Sequence, residues 1–316
     1  MAEFKIIIAG GGIAGLTLAN MLERFDLDYV LLEAHSEIAP PVGASIGLFP
    51  NGLRILDQLG CYERIANLSV QHLEVAYMRD RKGDVLSALH QMFKHLERRY
   101  VETYLADGLS FHSNAGTDTD LIDGGVNVTT ADGSVYTGTL VVGADGIHSK
   151  VRSLMRDLGN KLQPGYFPAK EEDNVPCYYR CSFGIAQHVP GWVAGEQNIV
   201  MGNGQSQLVV SGPEGRVYWF LFDKLPQEKY GKDIPKYTQE DEADFVKQNY
   251  NLPITRKVTF GHVFDKRLSS ALTPLHEIVY QKWFFKRIIT FGDSAHKVST
   301  MSSVYPDALR LPHPDG

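Results

Sequence analysis

"IIIAGGGIAGLTLANMLERFDLDYVLLE", residues 6–33, carries the reading that decides the fold. Phe4–Ala9 is apolar without alternation, which predicts a strand covered on both faces, as in a parallel sheet. Gly10, Gly12 and Gly15 then stand in G-x-G-x-x-G spacing. Ala14, Leu18, Met21, Leu22 and Phe25 recur at helical spacing, and Tyr29–Leu32 predicts a second strand that stops on Glu33. In such a unit the first glycine serves the tight turn, the second the close approach of a pyrophosphate and the third helix–strand packing. Ile13 and Ala14 open the helix, whose N-terminal N–H groups and positive dipole end suit phosphate. Glu33, eighteen residues past Gly15, is placed to accept hydrogen bonds from ribose hydroxyls and to repel a 2′-phosphate. The alternative is a glycine-rich turn in an unrelated α/β protein. The motif by itself does not separate NAD from FAD.

Two further strand ends point the same way. Thr139–Val142 predicts a strand that feeds "GADGIHSKVR", residues 143–152. Ligands of doubly wound sheets sit beyond the carboxyl ends of the strands, so Asp145 and Gly146 are aimed at the same crevice. Asp145 either bonds a ligand hydroxyl or caps the following helix. Ahead of it, alternation around Asp132-Gly133 predicts a β-hairpin. Ile288–Phe291 predicts a third strand, leading into "GDSAHK", residues 292–297, with Gly292 and Asp293 at its end. Ser294 and His296 do not make a nucleophile pair, because no nucleophile elbow surrounds the serine; His296 reads as a helix-start or packing residue.

These three segments, in this order, resemble the class A flavoprotein monooxygenases, a family of aromatic hydroxylases and related epoxidases. The likeness is greatest to fungal members that epoxidise prenyl chains of indole-diterpenes and meroterpenoids. It rests also on "PPVGASIGLFPNGLRILDQLG" at 40–60, "GRVYWFLFDKL" at 215–225 and "LHEIVYQKWFFKRIITFGDSAHK" at 275–297, and covers about residues 1–80 and 125–297. The resemblance implies an α/β chain: a Rossmann-like FAD-binding domain with an inserted antiparallel β-sheet substrate domain. It assigns 1–68, 84–165 and 285–316 to the first and 69–83 and 166–284 to the second. It puts Gly10, Gly12, Ile13, Ala14, Gly15 and Glu33 on the ADP half of FAD. Gly47, Asp145 and Gly146 fall at the cofactor cleft, and Gly292 and Asp293 on the ribityl–phosphate part. The implied activity uses NAD(P)H and O2 to epoxidise or hydroxylate a hydrophobic secondary metabolite, prenylated or terpenoid. The flavin carries that chemistry, so no catalytic side chain is named.

The remainder of the chain bounds this reading. After about residue 165 the sequence alternates with glycine-bearing turns, predicting an antiparallel sheet; Tyr218, Trp219 and Phe220 are either pocket wall or sheet core. In two places the chain departs from the family pattern. A helix is expected over Val85 to Leu105, where the family's flavin-contacting arginine has no clear match beyond Arg98 or Arg99. After Lys297 the family's proline, glycine-rich turn and long helix are replaced by "VSTMSSVYPDALRLPHPDG", which predicts an irregular tail and an incomplete second half of the flavin site. A truncated, inactive member of the fold is therefore one alternative, and a plain NAD-dependent reductase another.

Composition excludes other classes. A net charge of −6 argues against a nucleic-acid partner. The three cysteines, Cys61, Cys177 and Cys181, fit neither a disulfide framework nor a zinc spacing, so no metal is expected. No apolar run is long enough to span a bilayer. A cytoplasmic location is expected, with membrane association left open, and the expected partner is a small hydrophobic substrate.

Overall fold

The computed structural model describes residues 4–35, 50–68, 73–90, 112–113, 116–169, 171 and 173–297. The first strand, β1 (Lys5–Ala9), shows why its sequence is apolar throughout: Ile7 and Ala9 enter one core, Ile6 and Ile8 another on the opposite face. Helix α1 (Ile13–Arg24) covers one face through Ala19 and Leu22. The helix Lys150–Leu162 covers the other through Val151 and Met155, beside Val126 and Val128 of the hairpin Gly125–Thr130 and Val135–Gly138. β2 (Asp28–Glu33) lies parallel to β1, and so does Leu140–Gly143 on its other side. The six-stranded order runs Phe284–Phe285, Ile288–Thr290, Leu140–Gly143, β1, β2, His112–Ser113. The three sequence motifs thus leave three adjacent parallel strands at the same end.

The second sheet has seven strands in the order Arg267–His276, Pro176–Gln187, Arg216–Tyr230, Gln205–Ser211, Glu196–Met201, Val75–Arg79, Val85–His90. It is antiparallel except where Glu196–Met201 runs parallel to Val75–Arg79. Val85–His90 corrects the sequence expectation of a helix starting at Val85. The segment pairs with Val75–Arg79 across the turn at Gly83, so residues 85–90, assigned to the cofactor domain by resemblance, belong to the second sheet. The main-chain pairing of a short hairpin outweighs the helical spacing of its leucines. Residues 91–105, with Arg98 and Arg99, lie outside the described residues, as do Gly47 and the tail after Lys297.

Strand alternation sorts the aromatic run of Arg216–Tyr230 between two faces. Trp219 is core: it meets Phe260 and Phe264 edge-on beneath the helices Gln239–Asn249 and Phe260–Phe264. Its indole N–H donates to the Ser182 hydroxyl. Tyr218 and Phe220 point to the opposite face and are half-buried. There Phe183, Phe220 and Phe222 stack, with centroids 6.4 and 6.2 Å apart, beside Cys181, Leu208 and Leu275. Cross-strand partners share a face, and Phe183 stands opposite Phe220, which stands opposite Leu208.

The two faces are expected to respond differently to truncation. Trp219→Ala opens a cavity in a packed core and is expected to cost ~3–5 kcal/mol. Phe220→Ala loses only half-buried area and is expected to cost roughly half of that. Urea midpoints of the two variants check this; equal losses would contradict the assignment of faces.

Candidate functional site

The turn between β1 and α1 is fixed by two close approaches. Gly10 has φ +108°, and a Cβ on it would lie 2.4 Å from the Ala144 carbonyl oxygen. That proximity lets the Ala144 N–H donate to Ala9 at 2.7 Å while the Gly10 N–H donates to Leu32 at 2.8 Å. The turn is thereby tied to both neighbouring strands. A Cβ on Gly15 would lie 1.8 Å from the Gly10 carbonyl oxygen, so only glycine lets the helix pack on its own turn. Gly12 differs. It is the N-cap of α1, no side chain caps the helix there, and a Cβ on it would meet no atom within 4 Å. Beside it Ile13 is 64% exposed, and Ala14 faces Gly292, whose Cβ would stand 3.0 Å away. The third motif therefore reaches the mouth of the first.

Glu33 folds back onto this turn. One carboxylate oxygen accepts a short hydrogen bond from the Gly11 N–H, and the other accepts from the His35 N–H at 3.0 Å. A carboxylate has about four acceptor positions, so both oxygens keep capacity for a ligand hydroxyl. Asp145 is held differently. Its oxygens accept from the Ser149 hydroxyl at 2.6 Å and from the N–H groups of Lys150 and Val151 at 2.7 and 3.0 Å. The side chain caps the helix Lys150–Leu162, jointly with Ser149, whose hydroxyl accepts from the Arg152 N–H. Of the two roles open to Asp145 from sequence, capping is the one its contacts display. Gly146, at φ +78°, leaves open space where a Cβ would be. Asp293 pairs with Lys297 at 3.3 Å. Ser294 is buried against the carbonyls of Gly143 and Phe291 at 2.6 and 2.7 Å, a structural post. His296 stacks on Trp283 at 5.3 Å, the packing role expected of it.

Two features escaped the sequence reading. His148 meets His276 edge-on at 5.9 Å, which joins the turn after Leu140–Gly143 to the end of a second-sheet strand. Burial first, then electrostatic repulsion by His148 and Lys297, lowers the His276 pKa below the ordinary imidazole value. The other is Arg152, whose side chain is buried with its guanidinium beside Glu171 at 2.7 Å. A signal was present, since Arg152 falls at helical spacing on the stripe of Met155 and Gly159. No sequence signal links His148 to His276, 128 positions away.

Two outcomes follow for the fold. Gly15→Ala is expected to destabilise the chain by roughly 1–3 kcal/mol or more through overpacking, with Gly12→Ala much milder; thermal melts of both check this. For His276, the unfolded state takes up its proton near pH 6.5, before the folded state does. Stability is therefore full above that pH and falls as pH drops through it, with a ceiling of about 1.4 kcal/mol per pH unit for one proton. His276→Gln is expected to flatten the urea-derived stability profile between about pH 7.5 and 5.5; an unchanged slope would contradict the burial of the ring.

Comparison with known proteins bears on the fold and the family. A family model described as "FAD binding domain" matches residues 3–156. FAD-dependent monooxygenase penE of Penicillium thymicola is 36% identical over 310 residues, covering 94% of this chain and 65% of the relative. FAD-dependent monooxygenase olcE of Penicillium canescens is 38% identical over 311 residues, 94% of this chain and 67% of the relative. The chain thus spans about two thirds of the length of the curated relatives it matches. Among solved structures, Klebsiella pneumoniae HpxO complexed with FAD and uric acid superposes with TM-score 0.66 at 19% identity, covering 94% of this chain and 75% of that one. The p-nitrophenol 4-monooxygenase PnpA of Pseudomonas putida DLL-E4 gives 0.67 at 17% identity, covering 95% and 76%. At such identity the structures show a shared fold, and the sequence relatives settle the lineage: the chain belongs to the family of FAD-dependent monooxygenases.

Proposed function

We propose that the crevice at the ends of β1, β2 and Leu140–Gly143 holds FAD, and that the protein uses NAD(P)H and O2 to place an oxygen atom on a hydrophobic, prenylated or terpenoid secondary metabolite. The observation that carries this reading is the contrast among the glycines. Gly10 and Gly15 are filled by protein, whereas Gly12 borders open space at the uncapped start of α1, and Gly146 borders open space in the turn after Leu140–Gly143. A dinucleotide fits such a cradle: the pyrophosphate over Gly12, at the N–H groups of Ile13 and Ala14, and the adenosine ribose at Glu33. The helix Lys150–Leu162 offers no equivalent, because Asp145 and Ser149 already occupy its first N–H groups. The resemblance continues this cradle to Gly146, Gly292 and Asp293, and the approach of Gly292 to Ala14 supports that continuation. Gly47 is assigned to the same cleft by resemblance.

Bound FAD supplies the redox chemistry, reduction by NAD(P)H and activation of O2. The chain's share is binding, orientation and exclusion of water. The stacked face of Phe183, Phe220 and Phe222 with Leu208 and Leu275 supports a hydrophobic substrate. Leu275 precedes His276, whose ring meets His148, so this end of the strand comes near the turn that borders the crevice. No acid or base on that face is required for transfer of oxygen to an electron-rich double bond.

Flavin absorbance of the purified protein tests the reading. Gly12→Val is expected to abolish copurifying FAD with little change in thermal stability, since the added atoms occupy only the phosphate's path. Retention of flavin by this variant would make the motif a structural turn alone. Glu33→Ala is expected to weaken FAD by about 1–3 kcal/mol, the scale of a charge-assisted hydrogen bond lost with its partner unpaired. Fluorescence titration measures that loss.

A further inference from the structure

Arg152 joins segments that are far apart in sequence. Two of the stretches that carry the chain between the sheets come together at Arg152: the one after the helix Lys150–Leu162, which leads to Pro176–Gln187, and 277–283, which leads back to Phe284–Phe285. One guanidinium reaches both. It donates to the Glu171 carboxylate at 2.7 Å in the first crossing and to the Lys282 carbonyl at 2.9 Å in the second. It also lies 3.2 Å from the ring centroid of Tyr280. The crossings are bound to each other as well: the Gln281 N–H donates to Glu171 at 2.9 Å, and the Tyr166 hydroxyl donates to the Phe284 carbonyl at 3.0 Å. Arg152 is 3% exposed. A buried guanidinium tolerates its desolvation only when its fork is matched by acceptors and an aromatic face, and both are supplied here by the crossings.

We propose that Arg152 is a positioning residue. Acting through Glu171 and Tyr280, it sets the angle at which the second sheet stands over the cofactor crevice. The backbone N–H of Arg152 is held by Ser149, and Ser149 bonds Asp145. The clamp is therefore continuous with the turn that borders the crevice, and a change at Arg152 is transmitted to the second sheet without touching a ligand. This inference rests on the reading of the crevice as an FAD site only in its second readout.

The test compares the full chain, reconstituted with FAD, in Arg152→Lys and Glu171→Gln. The control is Val263→Ala, which lightens the core under the second sheet away from the crossings. Arg152→Lys keeps the charge and loses the fork; Glu171→Gln keeps the shape and loses the charge, and serves if the lysine variant does not fold. Amide hydrogen exchange in peptides covering 163–169 and 277–283 is expected to quicken about tenfold in the clamp variants, with α1 unchanged. Iodide quenching of bound FAD fluorescence is expected to rise in the clamp variants and not in Val263→Ala. Crossings that exchange no faster than in the control, or quenching that rises equally in it, would overturn the proposal. If the chain holds no FAD, the functional reading fails and the exchange measurement alone decides the clamp.

Discussion

The contact on which the rest depends is that between the Gly10 backbone and the Ala144 carbonyl. No side chain of any size fits between them, and none is present. Because β1 can approach Leu140–Gly143 so closely at its end, Ala9 and Leu32 both bond across the turn, and α1 starts directly over the sheet. The same geometry draws Gly292 to Ala14 at the opening of α1. Three stretches separated by more than a hundred residues each are thus brought to one mouth by backbone packing, before any side-chain chemistry enters.

Around that mouth the polar groups divide into those already spent on the protein and those left over. Asp145 and Ser149 consume the N–H groups of their helix, and Ser294 is enclosed by two carbonyls. By contrast α1 begins without a capping side chain. Unsatisfied N–H groups at a helix start favour an anion, and this inequality between two helices of the same unit is what marks one end as receptive. Family membership and physical accounting support the proposed crevice by separate routes.

Much of this was legible in the sequence because it rests on local rules. β1, α1 and β2 are spelled out by an unbroken apolar run, spaced glycines and a terminal acid, and the structure sets all three within one or two residues of expectation. The Asp132-Gly133 hairpin was equally plain, with Gly133 at φ +84°. At Val85–His90 the sequence misleads because the six residues of "VLSALH" satisfy a helical pattern as well as an edge strand, and only pairing with Val75–Arg79 decides. Tyr218, Trp219 and Phe220 looked alike in sequence; alternation on a strand with helices on a single face separates Trp219 from its neighbours. The approach of His148 to His276 and the clamp at Arg152 depend on tertiary closure between sheets, and no local spacing encodes that.

The anchoring of Glu33 has an entropic consequence. An unrestrained glutamate that orders itself on a ligand gives up rotamer freedom, at roughly 0.5–1.5 kcal/mol per side chain immobilised on binding. Here the Gly11 and His35 N–H groups hold the carboxylate in place through the protein's own contacts. That loss is taken during folding, so under the proposed FAD reading the ribose hydroxyl would meet an acceptor already at rest, and the affinity of the contact would not be diminished by freezing it.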